Sequence, residues 1–205
     1  MLTLFYAPGT CSLASHIALE MAGADYAAQR IDFSQNEQRS EAFLAINPKG
    51  RVPALRTPQG VISETPAILF YIAQSFPAAR LAPLDDAFAL AQLQSFNSYI
   101  CSTLHVAHAH KFRGSRWADD PAAIEAMRQK VPETVGAAFD LIEQDLLRGP
   151  WVLGEPLSIG DAYLFTVAQW MEGDGLDMAR YPRVLDHRKR MAALPAVQKV
   201  LAAAQ

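Results

Sequence analysis

"LTLFYAPGTCSLASHIALEM", Leu2 to Met21, decides how the chain begins to fold. Leu2, Leu4 and Tyr6 alternate in an extended run that stops at Pro8-Gly9, so the stretch opens as a β-strand. From Cys11 to Met21 the apolar Leu13, Ile17 and Met21 recur every four residues before Gly23 supplies a stop, so it continues as a helix. Cys11 therefore stands at a helix N-terminus, where unpaired N–H groups and the helix dipole favour a thiolate and lower a thiol's pKa. His16, rotated about 140° around the helix from Cys11, faces elsewhere.

The same reading predicts a short strand near Ala27–Ile31 and a helix from Ser40 to Ile46 that ends at the turn "NPKG". Two strands follow, around Val52–Arg56 and Gly60–Ile62. A helix beginning at Thr65 then carries Ile68, Leu69, Ile72 and Phe76 on one face, and the order becomes βαβαββα. Beyond Pro77 the connector "PAARLAPLDD" leads into helical patterns with no convincing strand. The expected division is an α/β domain over residues 1–78, a linker over 79–86 and an all-α domain over 87–205. Phe88, Phe96, Tyr99, Ile100 and Leu104 predict one long helix, and Val135, Ala138, Phe139, Ile142 and Leu146 another after a kink at Pro132. In "LSIGDAYLF", Ser158 is the N-cap of a further helix and Asp161 its reciprocal partner, a pair with a folding role.

The 18 basic and 21 acidic residues leave a net charge of −3 with no Lys/Arg-rich run, which argues against a nucleic-acid partner. The uncharged stretch from Thr65 to Ala79 is broken by Gln74, Ser75 and Pro77 short of about 20 apolar residues, so no membrane helix is expected. The N-terminus lacks the basic start and apolar run of an export signal. Cys11 and Cys101 have neither metal-ligand nor disulfide-framework spacing, which fits the cytoplasm and gives Cys101 a structural part. In "TLHVAHAHKF", His105 and His108 share a helical face that His110 does not, and the spacing supplies no further ligand for a metal.

A βαβαββα unit with a cysteine after its first strand resembles the thioredoxin-like domain, but Ser12, Leu13 and Ala14 follow Cys11, so there is no C-x-x-C relay. With the all-helical second half, the chain resembles the cytosolic glutathione transferases. "YAPGTCSLASHIAL", "FLAINPKGRVPAL" and "SETPAILFYIA" resemble their bacterial beta class, and the likeness covers essentially the whole chain. The resemblance implies a thioredoxin-like N-terminal domain, a helical C-terminal domain, glutathione as co-substrate, no metal, and a homodimer.

It also implies roles for individual residues. Val52-Pro53 resembles the cis-proline corner whose preceding backbone pairs with the cysteinyl part of glutathione, much as an added strand pairs with a sheet edge. Thr65 and Pro66 form an N-cap and N1 pair, and in the family this helix start takes the γ-glutamyl carboxylate while Glu64 takes its ammonium. Cys11 takes the role of the residue at the glutathione sulfur, with the hydroxyls of Tyr6, Thr10 and Ser12 as alternatives nearby. His105 falls where a beta-class histidine faces the thiol, able to hydrogen-bond or protonate Cys11 or the glutathione sulfur. Val106 stands where some relatives carry lysine.

The implied activity is transfer of glutathione to a small, mostly apolar electrophile bound against the helical domain. A mixed disulfide at Cys11, thiol-disulfide exchange and glutathione-dependent isomerisation are further options on the same scaffold. A non-enzymatic interaction protein that keeps the fold is the rival from another class.

Overall fold

The computed structural model describes residues 1–203. Its first half is the expected βαβαββα unit: β1 (Leu2–Tyr6), α1 (Ser12–Met21), β2 (Tyr26–Arg30), α2 (Glu41–Ile46), β3 (Ala54–Thr57), β4 (Gly60–Ser63) and α3 (Thr65–Ser75). The sheet order is β2-β1-β3-β4, with β1 parallel to β2 and antiparallel to β3, and with Leu4 opposite both Ala28 and Leu55. Because successive strand residues point to opposite faces, Leu4 joins Ala14, Ala18, Ile68 and Leu69 under α1 and α3, while Phe5 meets Phe43 of α2 edge to face. Both faces of the sheet are therefore covered.

The second half is helical: α4 (Ala87–Tyr99), α5 (His105–Arg113), α6 (Pro121–Leu141), α7 (Ile159–Ala168), α8 (Pro182–Ala192) and α9 (Pro195–Ala203). None of the described helices is long and apolar enough to cross a membrane. Two expectations need correction. The long helix over Phe88–Leu104 is not uniform, since a π-helical turn, Ile100–Leu104, separates α4 from α5 and resets which side chains face inward. The second long helix does not start after Pro132 but runs through it from Pro121, started by Asp120, whose carboxylate accepts from the Ala122 N–H.

α7 is buried along its whole length. Its start is held by the Ser158–Asp161 capping box, as the sequence spacing predicts: Asp161 accepts from the Ser158 N–H at 2.7 Å and the Ser158 hydroxyl at 2.9 Å. It also accepts from the Val152 N–H at 2.7 Å and pairs with His187 of α8 at 3.0 Å. A carboxylate with four partners ties the loop before α7 to two helices, which is a folding role. Against α7 and α9 packs α1, through Ile17, Ala162, Phe165, Val197 and Val200, so one helix serves both halves of the chain.

Removing the Asp161 carboxylate strands several buried donors at once. Asp161→Ala is expected to cost roughly 3–5 kcal/mol in denaturant unfolding. Asp161→Asn should lose less, because it keeps an acceptor; equal stability of wild type and Asp161→Ala would contradict this role.

Candidate active site

A cavity of about 960 Å³ opens between the sheet and the helical half, near the upper end of the ~300–1,000 Å³ common for ligand pockets. Cys11, Val52, Pro53, Glu64, Thr65 and His105, drawn from four separate stretches of the sequence, all line it. β1 and the Pro8-Gly9 turn deliver Cys11 to the cap position of α1, where its Sγ donates to the Val52 carbonyl at 3.6 Å. The Val52-Pro53 peptide bond is cis, so the chain turns sharply just before β3.

The hydroxyls that compete with Cys11 are occupied or elsewhere. Thr10 Oγ1 donates to the Ala7 carbonyl at 2.8 Å, and Ser12 Oγ accepts from the Ala7 N–H at 3.1 Å. Neither Tyr6 nor Ser12 lines the cavity. His16 packs between the Tyr6 and Tyr26 rings, on another side of α1, as its rotation from Cys11 implies.

The electrostatics of Cys11 depart from expectation. Burial pushes its thiol up to about 11, with the neighbouring Thr65 hydroxyl opposing the shift. The start of a helix favours a thiolate by at most ~2 kcal/mol, and a thiol only 9% exposed has lost more hydration than that restores. The free protein thus holds Cys11 as a neutral thiol at physiological pH.

The start of α3 is also shifted by one residue. Glu64, not Thr65, occupies the cap position, at φ +77°, and it makes no side-chain cap hydrogen bond. A non-glycine residue with this backbone is strained, and such strain clusters at binding sites. Thr65 is the first helical residue; its side chain is buried beside Cys11 rather than turned back onto the helix end. Pro66 has no N–H to satisfy, so the helix start stays open to an anion. The Glu64 carboxylate meets Lys49 Nζ at 2.6 Å, an exposed pair.

The opposite wall comes from the π turn, α5 and the end of α7. His105 and His108 face the cavity, whereas His110 packs on Trp117. Burial, reinforced by His108 and then by the Arg113 and Arg116 charges, pulls His105 down to about 4. His105 is therefore neutral near pH 7: it can share a hydrogen bond but brings no positive charge to a thiolate. His108 stacks on Trp170, ring centroids 4.2 Å apart, and its Nδ1 meets the buried Asp174 carboxylate at 2.7 Å. Trp170 Nε1 in turn donates to the Gly9 carbonyl at 3.2 Å, tying this wall to the turn that carries Cys11.

Several cavity residues escaped the sequence reading. The Tyr163 hydroxyl, wholly buried beside Thr65 and Cys101, has no partner within hydrogen-bond geometry among the described residues. Burial raises its pKa further, so it is a neutral donor aimed at the cavity. Its position follows from the Ser158–Asp161 start of α7, but nothing in "DAYLF" separates it from core. Cys101, expected to be structural, also reaches the cavity because the π turn rotates it there.

Comparison with known proteins bears on this geometry. The family model for the glutathione S-transferase N-terminal domain matches residues 1–74, and that for the glutathione S-transferase C-terminal domain matches residues 121–190. Glutathione S-transferase GstA of Escherichia coli O157:H7 is 33% identical over 203 residues, covering 98% of this chain and 97% of its own. Among solved structures, a glutathione transferase homolog from Sulfitobacter with bound glutathione superposes with a TM-score of 0.96 at 48% identity, covering 99% of this chain and 98% of its own. A beta-class glutathione S-transferase from Sphingomonas chungbukensis superposes with a TM-score of 0.85 at 34% identity, covering 98% of each chain. With both of its halves matched in order, and its likeness to these proteins running nearly end to end, the chain belongs to the glutathione S-transferase family.

Proposed function

We propose that this chain is a beta-class glutathione S-transferase that binds glutathione on residues 1–78, across a linker at 79–86 from a helical domain over 87–205 that receives the electrophile. The observation that carries this reading is the convergence of Cys11, Val52 and Thr65 on one cavity of about 960 Å³. In this arrangement the Val52 backbone, next to Pro53, pairs with the cysteinyl unit of glutathione. The open start of α3 and Thr65 take the γ-glutamyl carboxylate, and Glu64 takes the ammonium, sharing or releasing Lys49.

The ligand's sulfur then lies at Cys11. When glutathione binds, the neutral Cys11 thiol turns its one hydrogen from the Val52 carbonyl to the glutathione thiolate, which attacks the electrophile, forms the new carbon–sulfur bond and expels the leaving group. His105 faces the same sulfur from the helical wall as a neutral hydrogen-bonding group. The raised pKa of Cys11 favours conjugation over thiol-disulfide exchange, which needs Cys11 itself as thiolate. The beta-class relative and the cysteine after β1 support the class assignment.

We further assign the protein to the cytoplasm as a homodimer. Both cysteines are free thiols, in keeping with a reducing compartment, and Phe88, 74% exposed in the first turn of α4, offers an apolar anchor for a second copy.

Glu64→Ala is expected to weaken glutathione binding by about 1.5–3 kcal/mol in titration calorimetry, with the circular dichroism spectrum unchanged. Full affinity in a folded variant would remove Glu64 from the glutathione site. For the dimer, light scattering should give twice the chain mass for wild type and a lower mass for Phe88→Asp. A wild-type protein that is monomeric at micromolar concentration contradicts the assignment.

A further inference from the structure

The charges around the cavity do not balance. Arg39, Lys49 and Arg51 line it from the sheet domain, and Lys111, Arg113 and Arg116 line it from the helical wall. Its acids are Glu64 and Asp174. Glu64 is taken by Lys49 at 2.6 Å; Asp174 is taken by His108 at 2.7 Å and Lys111 at 3.4 Å, and Lys111 also donates to the Gly173 carbonyl. Among the described residues, Arg39, Arg51, Arg113 and Arg116 have no carboxylate within ion-pair distance. Four guanidinium groups thus face one cavity without counter-charges.

They feel one another. Partial burial, then Arg51, Arg113 and Arg39 in turn, lower Arg116 to about 10, and the Arg113 and Arg116 charges help to hold His105 neutral. Like charges gathered in this way raise the local concentration of anions and are relieved when an anion binds.

Glutathione, as placed above, accounts for part of this charge. It carries two carboxylates and one ammonium near pH 7; the γ-glutamyl end goes to Thr65 and Glu64, leaving the glycyl carboxylate for the sheet-domain pair, Arg39 and Arg51. Arg39 lies over Gly50, directly beside Arg51 in the chain. Arg113 and Arg116, carried on the end of α5 and the turn after it, exceed what glutathione needs. Between and around them stand Val106, Phe112, Trp117 and Trp170, an apolar surface on the same wall.

We propose that Arg113 and Arg116 bind a carboxylate of the second substrate, so that the electrophile is an organic anion with a flat apolar body rather than a wholly apolar molecule. This rests on the reading that glutathione occupies the sheet-domain side. The aryl or alkenyl part packs on the Val106, Phe112 and Trp117 side chains, and the carboxylate takes the paired N–H donors of the guanidinium groups, a geometry that lysine cannot offer. The reacting carbon is then directed back toward the sulfur at Cys11.

The test compares two glutathione conjugates by titration calorimetry: S-(4-carboxy-2-nitrophenyl)glutathione and its neutral methyl ester on the aryl carboxylate, with glutathione alone as control. Wild type should bind the acid about tenfold more tightly than the ester, and the preference should shrink as salt rises. In Arg113→Gln/Arg116→Gln the acid should fall to the affinity of the ester, while the ester and glutathione keep theirs. Equal affinities of acid and ester for wild type overturn the proposal. So does a double variant that loses glutathione as much as the acid, because the arginines would then serve glutathione itself. Wild type that binds no glutathione overturns the glutathione reading, and this proposal with it; tight glutathione binding without acid preference overturns this proposal alone.

Discussion

Ile17 is wholly buried, yet the residues around it, Ala162, Phe165, Met191, Val197 and Val200, all belong to the helical half of the chain. Ala14, Ala18 and Leu19 of the same helix join the core above the sheet. α1 is therefore clamped on both sides, and Ser15 and His16, which would otherwise mark a solvent face, are buried too. Burying a side chain the size of Ile17 contributes ~1.5–3 kcal/mol, and the clamp repeats along the helix. Its consequence is positional: the N-terminus of α1 cannot reach open solvent, and the cysteine at its cap ends up in the cleft where the two halves meet.

That constraint sets the chemistry. At an exposed helix start, the dipole and free N–H groups would favour a thiolate. In the cleft, desolvation dominates, and Cys11 stays protonated with its thiol on the Val52 carbonyl. The same desolvation keeps His105 and Tyr163 uncharged. The interior end of the cavity thus offers neutral hydrogen-bonding groups around the proposed sulfur position, while fixed charge stays toward its rim on lysine and arginine. Fixed neutral donors in a dry site stabilise a thiolate without being ion-paired to it, so the sulfur keeps its nucleophilicity. The Trp170–Gly9 hydrogen bond and the His108–Trp170 stack hold the two walls in register around this point.

The local pattern of residues 2–75 carried most of the fold: period-two and period-four spacing, Pro-Gly and Asn-Pro turns, and a helix from Thr65 were all legible, although Glu64 and not Thr65 takes its cap position. So was the Ser158–Asp161 box, because a capping pair lies within one turn. What was not legible depended on distant chain segments meeting. The π turn at Ile100–Leu104 leaves no periodicity signal strong enough to read, yet it decides how Cys101 and His105 face the cavity. The thiol pKa followed from burial beside Val52, Thr65 and Tyr163, distant segments that no local motif of Cys11 contains. The arginine imbalance required Arg39 and Arg51 to lie across a cleft from Arg113 and Arg116, although the net charge of −3 suggests an acidic protein. The candidate residues converged because the family motifs mark them; their electrostatics came only from the packing.

The proposed chemistry depends on a neutral, desolvated Cys11. Iodoacetamide labelling of Cys11 in a Cys101→Ser background, followed by mass spectrometry from about pH 7 to about pH 10, measures its ionisation directly, since only the thiolate alkylates. With the thiol held near 11, the labelling rate is expected to rise about tenfold per pH unit across that range without levelling, and to stay far below that of an exposed cysteine at pH 7. A rate that levels off below about pH 8.5 would show instead a thiol activated by the helix start and rule out a neutral Cys11.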